Sequence, residues 1–256
     1  MKANSFRRCI CLALFITLLN SPGVLSQTQP PLPRLFIGGG ALPDAMYDEF
    51  ARFAGTEGLL VVIPTATGRE IDEAKIKADW ASSGFKSVAV LHTRDREKAA
   101  KPEFSAILKE AQAVWFSGGS QQRIADAYLG TPVEEEIYNL ARRGGVIGGS
   151  SAGAAIMSRV MISGGNPDPD ITTGFDLLPG VILDQHFLKR NRLARLSRAV
   201  HNNVGLIGLG IDEATAIIID KGELKVVGES YVIRLAVIKD QLKVDAYKAG
   251  ETIPLN

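Results

Sequence analysis

Gly149-Ser150-Ser151-Ala152-Gly153 fits the G-x-S-x-G pattern of a nucleophile elbow, a sharp strand-to-helix turn that lifts a serine hydroxyl above a sheet. The tip residue is strained, so the positions two before and two after it must be nearly free of side chain. That singles out Ser151 rather than Ser150. A serine nucleophile needs a base, and the chain has 3 histidines. His92 ends an apolar run, and His201 falls late in a helical stretch, where a cation suits the helix dipole. His186 follows a strand in a polar loop downstream of Ser151 and is the best candidate for the general base. The base in turn wants a carboxylate to fix its tautomer. Asp168, Asp170, Asp176 and Asp184 all lie between serine and histidine. Asp184 would share a face with His186 in an extended segment, whereas Asp168 and Asp170 sit in a glycine- and proline-rich loop that looks able to reach over a site. Spacing leaves the choice open. Arg190, Arg192 and Arg195 are the remaining chemical feature. Helical spacing puts the last two on one face, either as a bidentate clamp for a substrate carboxylate or as a solvated surface.

The elements that must position these groups alternate. Arg34 to Gly40 reads as an apolar strand ending in three glycines, and Pro43 to Phe53 as a helix buried through Met46, Phe50 and Phe53. Leu59 to Pro64 and Ser87 to His92 read as strands, with a helix from Ile71 to Ser82 between them. A helix over Pro102 to Gln112 precedes the strand Ala113 to Phe116. Helices over Gln122 to Leu129 and Val133 to Arg143 then lead to a strand, Gly145 to Ile147, that delivers the chain to the elbow. This rhythm predicts an α/β fold with a mostly parallel sheet covered on both faces. Ligands of such sheets bind beyond the carboxyl ends of the strands. Those ends carry Gly38 to Gly40, Pro64 to Ala66, His92, Gly118 to Gln122 and Ser151, all on one rim. The glycine triplet lacks the G-x-G-x-x-G spacing of a dinucleotide loop, and no phosphate P-loop is present. Residues 164–174 read as irregular, Arg192 to Asn202 as a helix, and the last third as mainly antiparallel strands with one solvated face.

Four blocks in order resemble the cyanophycinase branch of peptidase family S51, which also contains aspartyl dipeptidase (peptidase E). They are Trp115 to Ile124, Ser151-Ala-Gly-Ala154, Asp184-Gln-His-Phe187 with its spaced arginines, and Gly210-Ile-Asp-Glu213. The resemblance implies a class I glutamine amidotransferase-like, flavodoxin-like fold and a serine–acid–histidine triad in that chain order. It implies Asp168, or secondarily Asp170, as the acid, because relatives carry it in the loop after the elbow helix. It implies an oxyanion hole from the N–H groups of Ala152 and of Gly118 or Gly119, and a substrate groove lined by Gln121, Asp184, Gln185, Arg190, Arg192 and Arg195. The implied substrate is a β-Asp-Arg polymer or a similar aspartyl peptide or isopeptide, with no metal or cofactor, and the implied partner is a second copy of the chain, although no stretch identifies an interface. An esterase or amidase on the same scaffold, or a silent binding protein, are the rival readings.

The N-terminus carries basic residues, the apolar run Cys9 to Leu19 and a small-residue exit near Ser26, the parts of a secretory signal peptide over residues 1–26. The run falls short of the roughly 20 apolar residues a helix needs to span a bilayer. Export to the periplasm or medium is therefore expected, with residues 27–33 as a proline-stiffened linker and 34–256 as one α/β domain. Both cysteines fall in the leader, so the mature domain has no thiol for disulfides or thiolate chemistry. A formal charge of +1 argues against a nucleic-acid or membrane-surface protein.

Overall fold

Parallel strands buried on both faces need apolar residues at consecutive positions, and residues 34–38 and 59–63 supply them. The computed structural model describes residues 32–255, so the expected signal peptide and the first part of the linker lie outside the described residues. Along the chain the strands are β1 (Arg34–Gly38), β2 (Leu59–Ile63), β3 (Ser87–Val90), β4 (Ala111–Phe116), β5 (Val146–Ser150), β6 (Val160–Gly164), β7 (Asp170–Thr173), β8 (Val181–Gln185), β9 (Ile207–Ile211), β10 (Thr215–Asp220), β11 (Glu223–Gly228), β12 (Tyr231–Ile238) and β13 (Gln241–Lys248). The helices are α1 (Asp44–Ala54), α2 (Glu73–Ser82), α3 (Arg96–Ala99), α4 (Pro102–Ser105), α5 (Gln121–Tyr128), α6 (Pro132–Arg142), α7 (Ala152–Ala155) and α8 (Leu193–Asn202).

The main sheet has the order β11-β10-β1-β5-β4-β2-β3. Its five strands from β1 to β3 run parallel, and β10 and β11 extend it antiparallel. Successive residues pack on opposite faces. Leu35, Ile37, Val61, Ile63, Val114 and Phe116 join one core. Phe36, Leu60, Val62 and Trp115 join an aromatic layer with Phe50, Trp80 and Phe85 on the other. Phe50 and Trp115 meet with ring centroids 4.8 Å apart, and a Cβ at Gly148 would come within 2.5 Å of Phe50 and 2.6 Å of Trp115. The mostly parallel, helix-flanked α/β sheet expected from the sequence is the fold observed.

The second half departs from expectation in organisation. β8 and β9 pair in parallel and, with β12 and β13, form a separate four-stranded sheet rather than edge strands of the first. Helix α8 covers it through Leu196, Ala199 and Val200. The stretch read as irregular contains β7, which closes a hairpin with β6. The single helix expected over residues 102–112 is a short α4 followed by a 3₁₀ turn, Ala106–Lys109, because Ala111 and Ala113 are already pairing with β2 as β4.

Candidate active site

Ser151 occupies the turn between β5 and α7 with φ 56° and ψ −111°, a conformation that costs a non-glycine residue roughly 1–3 kcal/mol and persists only when its surroundings impose it. The surroundings are visible. A Cβ at Gly149 would stand 2.5 Å from the Gly153 carbonyl oxygen, and one at Gly153 would stand 2.1 Å from that of Phe116. The two glycines therefore let β5, α7 and β4 close on the turn, as the pattern required. The backbone N–H of Ser151 donates to Gly38 O at 3.0 Å, and its carbonyl accepts from Ala154 and Ala155.

His186 leaves the end of β8 at φ 50°. Its Nε2 lies 2.8 Å from Ser151 Oγ, and its Nδ1 lies 2.7 Å from Glu213 Oε1. A carboxylate only accepts, so Nδ1 carries the proton and donates to Glu213, which leaves Nε2 as the acceptor for the Ser151 hydroxyl. Burial lowers the His186 pKa from its usual 6.5. The Glu213 contact pulls it upward and the charges of Arg190 and Arg192 push it down, and the net shift is downward. The imidazole is thus neutral at pH 7. A serine hydroxyl in line with a neutral, oriented imidazole is set to lose its proton as it attacks.

The carboxylate facing the histidine is therefore Glu213, and the expectation of Asp168, or of Asp170, is corrected. Asp168 pairs with Arg198, and its side chain is 81% exposed. Asp170 starts β7 with its side chain outward. Asp176 stands near Arg159. The reason lies in the second sheet. Because β9 runs parallel to β8, the residues just past its end emerge beside those past β8, and Glu213 reaches His186 from 27 positions on. The assumed order, with the acid between serine and histidine, hid it. The signal was present in Gly210 to Glu213, a strand end with an acid on the same rim.

The remaining expected site residues divide. Asp184 is fully buried and accepts from Arg195 Nε at 2.9 Å, from Arg195 Nη2, and from Arg192 Nη1 at 3.3 Å. Asp184 and Arg195 thus occupy each other. Gln121 is also engaged, donating to Ile162 O at 2.6 Å. Gln185 Oε1 is buried with no hydrogen-bond partner among the described residues. Arg190 is exposed, donates its backbone N–H to His186 O at 3.0 Å and depresses the imidazole pKa. Gly118 stands against Ser151, its Cβ position 3.5 Å from Ser151 Cβ. Gly119 follows at φ 142°, and Ala152 opens α7. His92 lies away from this group, bonded through Nδ1 to Thr65 Oγ1 at 3.0 Å. His201 is in the last turn of α8.

A cavity of about 860 Å³ opens beside Ser151 and His186. Gly118 belongs to its wall beside the serine, and Trp115 to its wall against Tyr47 and Trp80. Its far wall, built by α1 and α2, carries Asp44, Asp48 and Asp79 against one lysine, Lys75. Lys75 Nζ is 2.9 Å from both Asp79 oxygens.

The model of peptidase family S51 matches residues 35–227. Cyanophycinase from Geminocystis herdmanii is 34% identical over 188 residues, covering 70% of this chain and 69% of that one. Cyanophycinase from a Nostoc species is 34% identical over 193 residues, covering 72% and 65%, and that from Thermosynechococcus vestitus covers 71% and 59% at the same identity. The chain thus spans about two thirds of the length of these relatives. Among solved structures, a peptidase from an acI-B1 Actinobacterium superposes with a TM-score of 0.67 at 27% identity, over 87% of this chain and 97% of the other. A putative peptidase E protein from Listeria monocytogenes shares the fold, with a TM-score of 0.57 at 17% identity over 78% of this chain and 100% of that one. The matched span holds the elbow serine, the histidine and the carboxylate that meets it, and the chain belongs to peptidase family S51, a peptidase-type hydrolase.

Proposed function

We propose that the protein is an exported serine-type exopeptidase that hydrolyses β-Asp-Arg polymer or related aspartyl peptides, with Ser151, His186 and Glu213 as its triad. The observation that carries the reading is the hydrogen-bonded line from Ser151 Oγ through His186 to Glu213, at 2.8 and 2.7 Å. Ser151 Oγ attacks the scissile carbonyl as Nε2 takes its proton, and Glu213 stabilises the imidazolium that forms. The tetrahedral oxyanion takes hydrogen bonds from the N–H groups of Ala152 and of Gly118 or Gly119, each donor contributing about 3 kcal/mol to the barrier reduction. Collapse expels the amine, which leaves with the proton from Nε2, and water then repeats the sequence on the acyl-enzyme.

Three features support the substrate. The relatives are cyanophycinases, and the carboxylate-rich far wall of the cavity suits a cationic side chain such as arginine. Arg190, exposed beside the imidazole, suits the free carboxylate of an aspartyl unit. Export rests on the signal-peptide pattern of residues 1–26, and mass spectrometry of protein recovered outside the cytoplasm should find a new N-terminus near Gln27. Purified mature protein should release β-Asp-Arg from cyanophycin, and Ser151→Ala should abolish this by roughly 10⁴-fold or more. Release by Ser151→Ala at the wild-type rate would sink the mechanism. Activity on simple esters with none on aspartyl peptides would sink the substrate.

A further inference from the structure

The triad is assembled from two sheets. Ser151 follows β5 of the seven-stranded sheet, whereas His186 and Glu213 follow β8 and β9 of the four-stranded one. Something must hold the two sheets in register at the rim, since an error of about 1 Å in placing reacting groups can cost on the order of 100-fold in rate. The glycine triplet that ends β1 and continues past it, read from sequence only as a dinucleotide loop that fails its spacing, lies at this junction. Its three carbonyls accept, in order, one backbone N–H from each triad turn. Gly38 O accepts from Ser151 at 3.0 Å, Gly39 O from His186 at 2.7 Å, and Gly40 O from Ala214, next to Glu213, at 3.1 Å.

Close approach explains why these positions are glycine. A Cβ at Gly39 would stand 2.0 Å from Asp212 O and 2.6 Å from Ile211 O, where β9 ends. A Cβ at Gly40, whose φ is 116°, would stand 2.2 Å from His186 Cε1 and 2.6 Å from Nε2, the atom that meets the nucleophile. The Asp212 side chain braces the stretch that follows His186. Its Oδ1 accepts from Leu188 N at 3.0 Å and Lys189 N at 2.9 Å, and its Oδ2 accepts from Ser230 Oγ at 2.8 Å.

We infer that Gly38–Gly40 is the positioning template of the catalytic triad, with Asp212 fixing the stretch after His186 against it. The turn sets Ser151, His186 and Glu213 against one another across the two sheets without touching substrate. The inference rests on the triad reading above. The two are separated by following phosphonylation of Ser151 with a small fluorophosphonate, which needs the triad but not the substrate cavity, in wild type, Gly40→Ala, Asp212→Ala and Gly222→Ala. Gly222 is a control, with φ of 83° and no atom of the described residues within 4 Å of its Cβ position, so it shares the backbone cost of an alanine at positive φ but not the contact with the imidazole.

At a temperature where circular dichroism shows each protein folded, Gly40→Ala should react at least roughly 30-fold more slowly than wild type and Gly222→Ala within about 3-fold. Asp212→Ala should react about 10-fold more slowly. Binding of the β-Asp-Arg dipeptide, measured by calorimetry, should be unchanged in the slowed variants. A folded Gly40→Ala that reacts at the wild-type rate overturns the template, as does an equal loss in Gly222→Ala. Should Gly40→Ala not fold, Asp212→Ala decides: a wild-type rate there overturns the inference, and slowing with dipeptide affinity intact sustains it. Wild-type protein that is not labelled at Ser151 would instead overturn the triad reading itself.

Discussion

The imidazole of His186 is held between opposing influences, and each offers a separate test. Burial and the charges of Arg190 and Arg192 lower its pKa, while Glu213 raises it. In the proposed mechanism His186 works as a base only when neutral, so kcat/KM should fall as pH drops through a value below 6.5. Arg190→Gln removes a lowering influence, so the acid limb should move to higher pH. Glu213→Gln removes a raising one, so the limb should move lower while kcat falls by roughly 10³- to 10⁴-fold through loss of the tautomer-holding contact. Asp168→Ala should leave both unchanged. A pH–rate profile of the three variants checks all of this, and limbs moving together would refute the arrangement. At this scale the sequence was legible where local chemistry dictates the answer. Ser151 had to be the tip because Gly149 and Gly153 flank it at two removes, and His186 stood out as the histidine that follows a strand into a polar loop downstream of Ser151. Glu213 was not legible by proximity. It meets His186 only because β9 lies beside β8, and pairing between strands separated by a helix is a property of the tertiary fold.

Between residue and fold, the buried ion pair of Asp184 and Arg195 joins β8 to α8. Arg195 also donates to Gly165 O at 3.1 Å, so one guanidinium links β8, α8 and the β6–β7 hairpin. Breaking such a pair leaves an uncompensated buried charge and costs about 3–5 kcal/mol. Asp184→Ala should therefore lower unfolding stability in urea by about that amount. The double variant Asp184→Leu with Arg195→Met, apolar on both sides, should recover most of the loss. A single variant that unfolds at the wild-type midpoint would show that the pair carries no structural load. Helical spacing put Arg192 and Arg195 on one face; α8 starts only at Leu193, and Arg192, just before it, and Arg195 both reach Asp184. What spacing does not encode is which way the face points. The helix turns it toward Asp184, under the sheet, because Leu196, Ala199 and Val200 demand burial on the same side. The strands of the first sheet were readable for the converse reason. Runs such as Leu59 to Ile63 are apolar on both faces, so no orientation had to be guessed.

Across the whole molecule the formal charge is +1, so no strong far field draws a charged polymer in, and any electrostatic preference must arise locally. The cavity beside Ser151 provides one. Asp44, Asp48 and Asp79 stand against Lys75 on its far wall, and burial together with Asp44 raises the Tyr47 phenol above its usual 10.0. Lys75 is bound to Asp79, which leaves the Asp44 and Asp48 side of the wall negative. Both aspartates are exposed, so each should contribute only about 0.2–1 kcal/mol to holding a cation. The double variant Asp44→Asn with Asp48→Asn should accordingly raise KM for a β-aspartyl-arginine substrate by roughly 2- to 30-fold while kcat stays within about 2-fold, since the contact is as strong in the ground state as in the transition state. Added salt should weaken wild-type binding of the arginine substrate, because a Debye length of about 8 Å at physiological ionic strength screens exposed charges. A neutral analogue carrying citrulline in place of arginine should respond to neither change. If both substrates lost affinity equally in the double variant, the wall would be acting through shape and not charge, and the cationic group would have to be accommodated elsewhere on the rim.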